Sequence, residues 1–150
     1  MTHRKHNAQG FTLVEILIVV VILGILAAIV VPQFTSASET AQGNAMIASL
    51  QTVRSQLELY RVQHNSAYPT LAQMWANLTT TTDVAGATTG SNFGPYLQKA
   101  PVNPFTSTST IAADNSGAWE YTAATGALRA VVPAATAAKL GIDATDFIAQ

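Results

Sequence analysis

Apolar residues fill the chain from Phe11 to Val31, with only Thr12 and Glu15 polar among them. A helix of that length covers about 32 Å, close to the hydrocarbon thickness of a bilayer. The run therefore predicts a membrane-spanning helix with one carboxylate near its start. A charge inside lipid is unfavourable, so Glu15 needs the headgroups or a partner. Gly24 and Pro32 are weak points in this helix. Pro32 lacks an N–H and crowds the carbonyl four residues back, so a kink or break is expected just before it, with Ser36 or Ser38 available to cap a restart. Beyond Pro32 the pattern turns amphipathic. Met46, Leu50, Val53, Leu57 and Tyr60 recur at spacings of four and three, one apolar stripe along a helix. The stripe lasts only about two heptads, which favours a face packed on a head over an independent coiled coil. Arg54, Glu58 and Arg61 lie off the stripe, where they are spaced to pair along the surface. His64 and Asn65 close the helix.

The remaining pattern is that of a small head. Pro69 forces the chain out of helix, Thr70 and Gln73 have capping-box spacing, and Leu71, Met74, Trp75 and Leu78 follow a helical period. A short amphipathic helix over 71–78 with Trp75 inward is expected. Residues 79–92 are rich in Thr, Gly and Ala and read as a solvated loop, with O-linked sugars as the alternative. Asn77-Leu78-Thr79 matches a glycosylation sequon that the helix would shelter. Prolines at 95, 101 and 104 make the next stretch extended. Trp119 and Tyr121 alternate, as do Leu128, Ala130 and Val132, around an Ala124-Thr125-Gly126 turn, which predicts an antiparallel hairpin covering the stripe. Glu120 and Arg129 are placed as cross-strand partners. Asp114 to Gly117 reads as a turn. The Ala-rich end, with Asp143, Asp146 and Phe147-Ile148, reads as a docking helix or a free tail.

Composition narrows the function. The net charge is −1, and without the first ten residues five Lys/Arg face eight Asp/Glu, giving −3. The remaining basic residues, Arg54, Arg61, Lys99, Arg129 and Lys139, are scattered, so nucleic acid is not an expected partner. There is no cysteine, hence no disulfide, thiol nucleophile or cysteine metal site. No Ser/His/Asp grouping, P-loop or G-x-G-x-x-G occurs, and His64 stands alone in the head, so neither an enzyme nor a metal site is expected.

Met1 to Gly10 is short and polar, with His3, Arg4, Lys5 and His6. Basic residues before the span predict a cytoplasmic N-terminus and an external head. Gly10 precedes the apolar run, so a cut there would keep the whole span on the mature chain, unlike a secretory signal. Gly10-Phe11-Thr12-Leu13-Val14-Glu15, followed by an apolar helix ending at Pro32, resembles the class III signal of type IV pilins and type II secretion pseudopilins. The resemblance is strong over residues 5–34. It implies cleavage between Gly10 and Phe11 by a prepilin peptidase, N-methylation of Phe11, and a role for Glu15 in subunit registration: a new ammonium at Phe11 pairs with a neighbour's Glu15 when filaments assemble. It also implies local unwinding between Gly24 and Pro32 in the filament.

Gly94-Pro95-Tyr96-Leu97, the prolines up to Phe105, and Tyr68-Pro69-Thr70 are similar to head segments of major type II pseudopilins. The fold expected from the resemblance is α+β and pilin-like, a long N-terminal helical stem on a small antiparallel sheet. Its parts are a leader over 1–10, a helix over 11–64 divided at residues 31 and 32, and a head over 65–150. The implied function is a structural subunit of a pseudopilus that drives export across the outer membrane. The implied partners are like subunits, other pseudopilins, the peptidase and an inner-membrane assembly platform. The alternatives are a type IV or minor pilin serving adhesion, motility or DNA uptake, and a monomeric anchored binding module. Such pseudopilins hold Ca²⁺ in an acidic loop near their last strands. Here Asp114, Asn115 and Ser116 contribute only one acid, so no metal or other cofactor is assigned.

Overall fold

The computed structural model describes residues 10–140 and 147–149. The leader residues 1–9 and the acidic pair Asp143 and Asp146 lie outside the described residues. The chain divides into two compact units, with the boundary between Ser38 and Glu39.

Helix α1 runs Leu13–Gln63, close to the expected 11–64. The break expected at Gly24 and Pro32 is absent, because the helix continues through both residues. Proline fits the φ of a helix, and its insertion removes one backbone bond at a cost of about 3 kcal/mol. A full break would sacrifice neighbouring bonds as well. Thr35 Oγ1 donates to the Val31 carbonyl at 3.2 Å, adding a local contact just past the proline.

In the second unit the expected stripe is the centre of the core. Met46, Leu50, Val53, Leu57 and Tyr60 are all buried, joined by Met74 and Leu78 and by sheet residues including Trp119, Tyr121, Leu128 and Val132. Each such side chain, fully buried, contributes about 1.5–3 kcal/mol. The short helix expected over 71–78 is a 3-10 turn, Leu71–Gln73, followed by α2, Met74–Thr79. The Thr70 side chain makes no cap bond to the backbone. Instead the Thr70 carbonyl accepts from Gln73 N at 3.1 Å. Trp75 is partly buried, edge-on to Trp119, with Nε1 donating to the Ser109 carbonyl at 2.7 Å.

The sheet has four strands among the described residues, in the order β1 (Ile111–Ala112), β2 (Trp119–Thr122), β3 (Ala127–Val132) and β4 (Phe147–Ala149). β2 and β3 form the expected antiparallel hairpin, with Trp119 opposite Ala130 and Glu120 opposite Arg129. Gly126 turns it with φ +72°, and a side chain there would collide with the Tyr68 ring. The fully antiparallel sheet that was expected is corrected by the two outer pairs, β1–β2 and β3–β4, which are parallel. A tight turn enforces antiparallel pairing of β2 and β3, the connection through α3 lets β4 return in the direction of β3, and residues 113–118 loop back to start β2 beside β1. The Ala-rich end supplies helix α3, Ala134–Leu140, and then β4, whose Phe147 is buried in the core.

Candidate functional site

The expected site residues begin where the described chain begins. Gly10 and Phe11 precede α1 in non-helical backbone, and both are exposed. No described residue would lie within 4 Å of a side chain placed at Gly10. The peptide between them is thus open to an enzyme.

Thr12 and Glu15 then start the helix together. Glu15 N donates to Thr12 Oγ1 at 3.2 Å, and Thr12 N donates to Glu15 Oε2 at 2.8 Å. This is a reciprocal capping box, which satisfies two of the donors left free at a helix start. The Thr12 hydroxyl adds a third bond to the same carboxylate oxygen at 2.8 Å. Glu15 therefore carries local partners before any neighbour arrives. The T-x-x-E spacing ahead of an apolar run is the signal for this box, and sequence reasoning passed over it.

From Leu13 to Phe34, Glu15 and Gln33 apart, α1 carries apolar side chains on every side. The large ones among them are 41–91% exposed, and the most hydrophobic window of α1 has a mean hydropathy of 3.3 with none of it buried. A helix apolar all round is stable only when lipid or other protein covers it. Gly24 lies within this surface, and a side chain begun there would meet nothing within 4 Å.

In the head, the one histidine among the described residues is held by structural bonds. His64 is buried and stacked on the Tyr60 ring, with Nδ1 at 2.8 Å from the Tyr60 carbonyl and Nε2 at 2.9 Å from Thr82 Oγ1. Thr82 is itself buried and bridges to Phe93, so residues 79–92 are not the uniformly solvated loop that composition suggests. No group of three or more His, Cys, Asp or Glu side chains that could hold a metal occurs among the described residues. Asp114 Oδ1 accepts from Ser116 N at 3.0 Å and from the Ser116 hydroxyl at 2.5 Å. These bonds hold its carboxyl below the usual range. The donor set of this turn does not fit a calcium ion, which calls for six to eight oxygens. Asn77 of the sequon is buried, as its helix implied.

The sequence reading missed Asn103 and, for Arg54, expected only pairing along the helix surface. Asn103, fully buried, donates from Nδ2 to the carbonyls of Ala118 and Val131 at 2.8 and 2.7 Å and accepts from Phe105 N at 2.9 Å. It clamps the proline-rich segment to the sheet. Arg54 donates from Nε and Nη2 to the Leu128 carbonyl at 3.1 and 2.6 Å, tying α1 to β3. The expected pairs Arg61–Glu58 and Arg129–Glu120 are both formed.

Comparison with known families matches both parts of the chain. The prokaryotic N-terminal methylation motif matches residues 5–31, and type II secretion system protein G matches residues 33–121. The type II secretion system core protein G of Pseudomonas aeruginosa is 36% identical over 102 residues, covering 68% of this chain and 71% of that one. Its counterpart from Vibrio cholerae is 35% identical over 103 residues, covering 68% of each chain. The protein of the same name from Dickeya chrysanthemi is 41% identical over 69 residues, covering 46% of this chain and 44% of its own. No solved structure matches.

Proposed function

The chain belongs to the type II secretion system protein G family, and on that premise we propose that it is a pseudopilin, cut after Gly10, methylated on Phe11 and polymerised through its apolar helix. The observation that carries this reading is the joint match of the methylation motif to residues 5–31 and of the protein G family to residues 33–121. The exposed apolar surface from Phe11 to Phe34 supports a membrane-anchored subunit that later packs against its own copies. The family is one of structural subunits, and the chain acts by assembly, without catalysis.

The proposed sequence of events starts in the inner membrane, N-terminus cytoplasmic and head periplasmic. Cleavage at the open Gly10–Phe11 peptide creates an ammonium on Phe11. In an apolar stack that charge seeks a carboxylate, and Glu15 of a neighbouring copy supplies one. Thr12 occupies Oε2 of Glu15, which leaves Oε1 for the ammonium. The pairing sets axial register, because a displaced subunit leaves two unpaired charges in a poorly solvated place. The inner-membrane assembly platform and other pseudopilins are the remaining partners.

The test is a deletion strain complemented with wild-type, Gly10→Val or Glu15→Ala chains and scored for exported proteins, surface filaments and DNA uptake. Export is expected to fail in the deletion strain and with both variants, with precursor accumulating for Gly10→Val only. Normal export together with loss of surface filaments or transformation would point to a surface pilin and overturn the reading.

A further inference from the structure

We propose that the head carries a binding site for a small neutral carboxamide, in a cavity of about 210 Å³ at the end of α1. Tyr60 of α1, His64 just past its end, Gln73 of the 3-10 turn, Asn77 of α2 and the loop through Gly86 line it. All lie in the unit that begins at Glu39. No Asp, Glu, Lys or Arg lines the cavity, and both ring nitrogens of His64 are engaged with Tyr60 and Thr82. A charged ligand would enter without a counter-ion, which a desolvated site penalises.

The polar end of the cavity is half satisfied. Asn77 is 2% exposed, and its Nδ2 donates to the Tyr60 hydroxyl at 3.0 Å, while its Oδ1 has no partner. Buried amide oxygens are ordinarily bonded. The Tyr60 oxygen, having accepted the Asn77 bond, has its own hydrogen left to donate. One acceptor and one donor thus stand side by side. A primary carboxamide is their complement: its N–H reaches Asn77 Oδ1 and its carbonyl takes the Tyr60 hydrogen. A carboxylate has no donor for Asn77, and a hydrocarbon serves neither atom.

Gly86 forms the cover. Its φ is +84°, and a side chain there would start 2.6 Å from the Tyr60 hydroxyl, so the backbone lies over the pair. Asp83 Oδ1 holds this loop by accepting from Ala85 N and Ala87 N, each at 2.9 Å. Entry displaces the Gly86 backbone and breaks its N–H bond to the Asp83 carbonyl at 3.0 Å. The same chemistry is available as a free small amide or as an Asn or Gln side chain carried by another protein.

Titration of the full-length, ¹⁵N-labelled chain in detergent micelles separates these sources. Propionamide, a capped glutamine tripeptide and propionate are the three probes. Saturable shifts are expected at the Asn77 side-chain amide and at Ala85 and Gly86 with both amides, and none with propionate. Tighter binding of the tripeptide assigns a protein-borne amide, and equal binding assigns a free one. Asn77→Leu is expected to weaken binding about tenfold, the value of one hydrogen bond. If Asn77→Leu fails to fold, Tyr60→Phe removes only the hydroxyl and must weaken binding in the same sense. The site is overturned if neither amide gives saturable shifts, if propionate shifts the same residues, or if a folded variant binds as wild type.

Discussion

Between Leu13 and Phe34 the large apolar side chains of α1 are 41–91% exposed, whereas Met46, Leu50, Val53, Leu57 and Tyr60 on the same helix are 0–3% exposed. Both segments are rich in apolar residues; their arrangement differs. A stripe on one face can be covered by a sheet of the same chain. An apolar surface on every face cannot be covered by the remaining 85 or so residues, which are already committed to their own core. The second half of α1 thus belongs to a folding unit, and the proposed function assigns the first half to lipid and then to neighbouring copies. Loss of a stripe residue should act on stability, and loss of a stem residue on assembly.

The comparison is sharpest at the core. Trp119→Ala removes a fully buried ring packed on the stripe, and a loss of about 3–5 kcal/mol is expected in head unfolding followed by near-ultraviolet circular dichroism. Ile22→Ala in the stem should leave that transition where it is. A shift with Ile22→Ala comparable to that of Trp119→Ala would break the division of labour.

Asn103→Ala removes its bonds to the buried Ala118 and Val131 carbonyls and the one accepted from Phe105 N, and about 1–3 kcal/mol is expected from the same measurement. A neutral result would mean that the proline-rich segment is held by packing alone.

Tyr121→Phe removes the bond to the Pro69 carbonyl at 2.9 Å, worth about 0.5–1.5 kcal/mol. It also carries a pH signature. Burial pushes the Tyr121 phenol well above its ordinary 10.0, so the folded head keeps a proton that the unfolded chain releases. The stability from this group is full below about pH 10 and declines as pH rises beyond it. Denaturant midpoints measured above about pH 10 should therefore fall less steeply for Tyr121→Phe than for wild type.

The smallest effect is expected at Arg129–Glu120. The Glu120 side chain is 12% exposed and that of Arg129 is 40% exposed, so Arg129→Met should cost about 0.2–1 kcal/mol, reduced by salt.

Much of this was legible in the residues because periodicity reports burial. The stripe repeats at the helical period, the β2–β3 hairpin at the strand period, and both lie where the pattern puts them. The class III signal around Gly10, Phe11 and Glu15 is equally local, and the family match agrees with it. The parallel pairs β1–β2 and β3–β4 were hidden, since two- and three-residue strands carry no period that would reveal their partner or direction. Asn103 gave no signal of its role between the prolines, because a sequence does not display which carbonyls surround an amide. Pro32 was read by its local cost alone, and the intact helix on both sides outweighed that cost. The Thr12–Glu15 box was visible in its spacing, but Glu15 drew attention as a charge in lipid and not as a helix cap.

The central claim, that the surface from Phe11 to Val31 is a polymerisation face, is tested most directly by crosslinking. The chain has no cysteine, so a pair placed by Ile16→Cys and Leu26→Cys is reactive without background. Treated with a bifunctional thiol reagent in secreting cells, this variant should yield a ladder of multimers that disappears when Glu15→Ala is added. Monomers alone, or a ladder unchanged by Glu15→Ala, would contradict it.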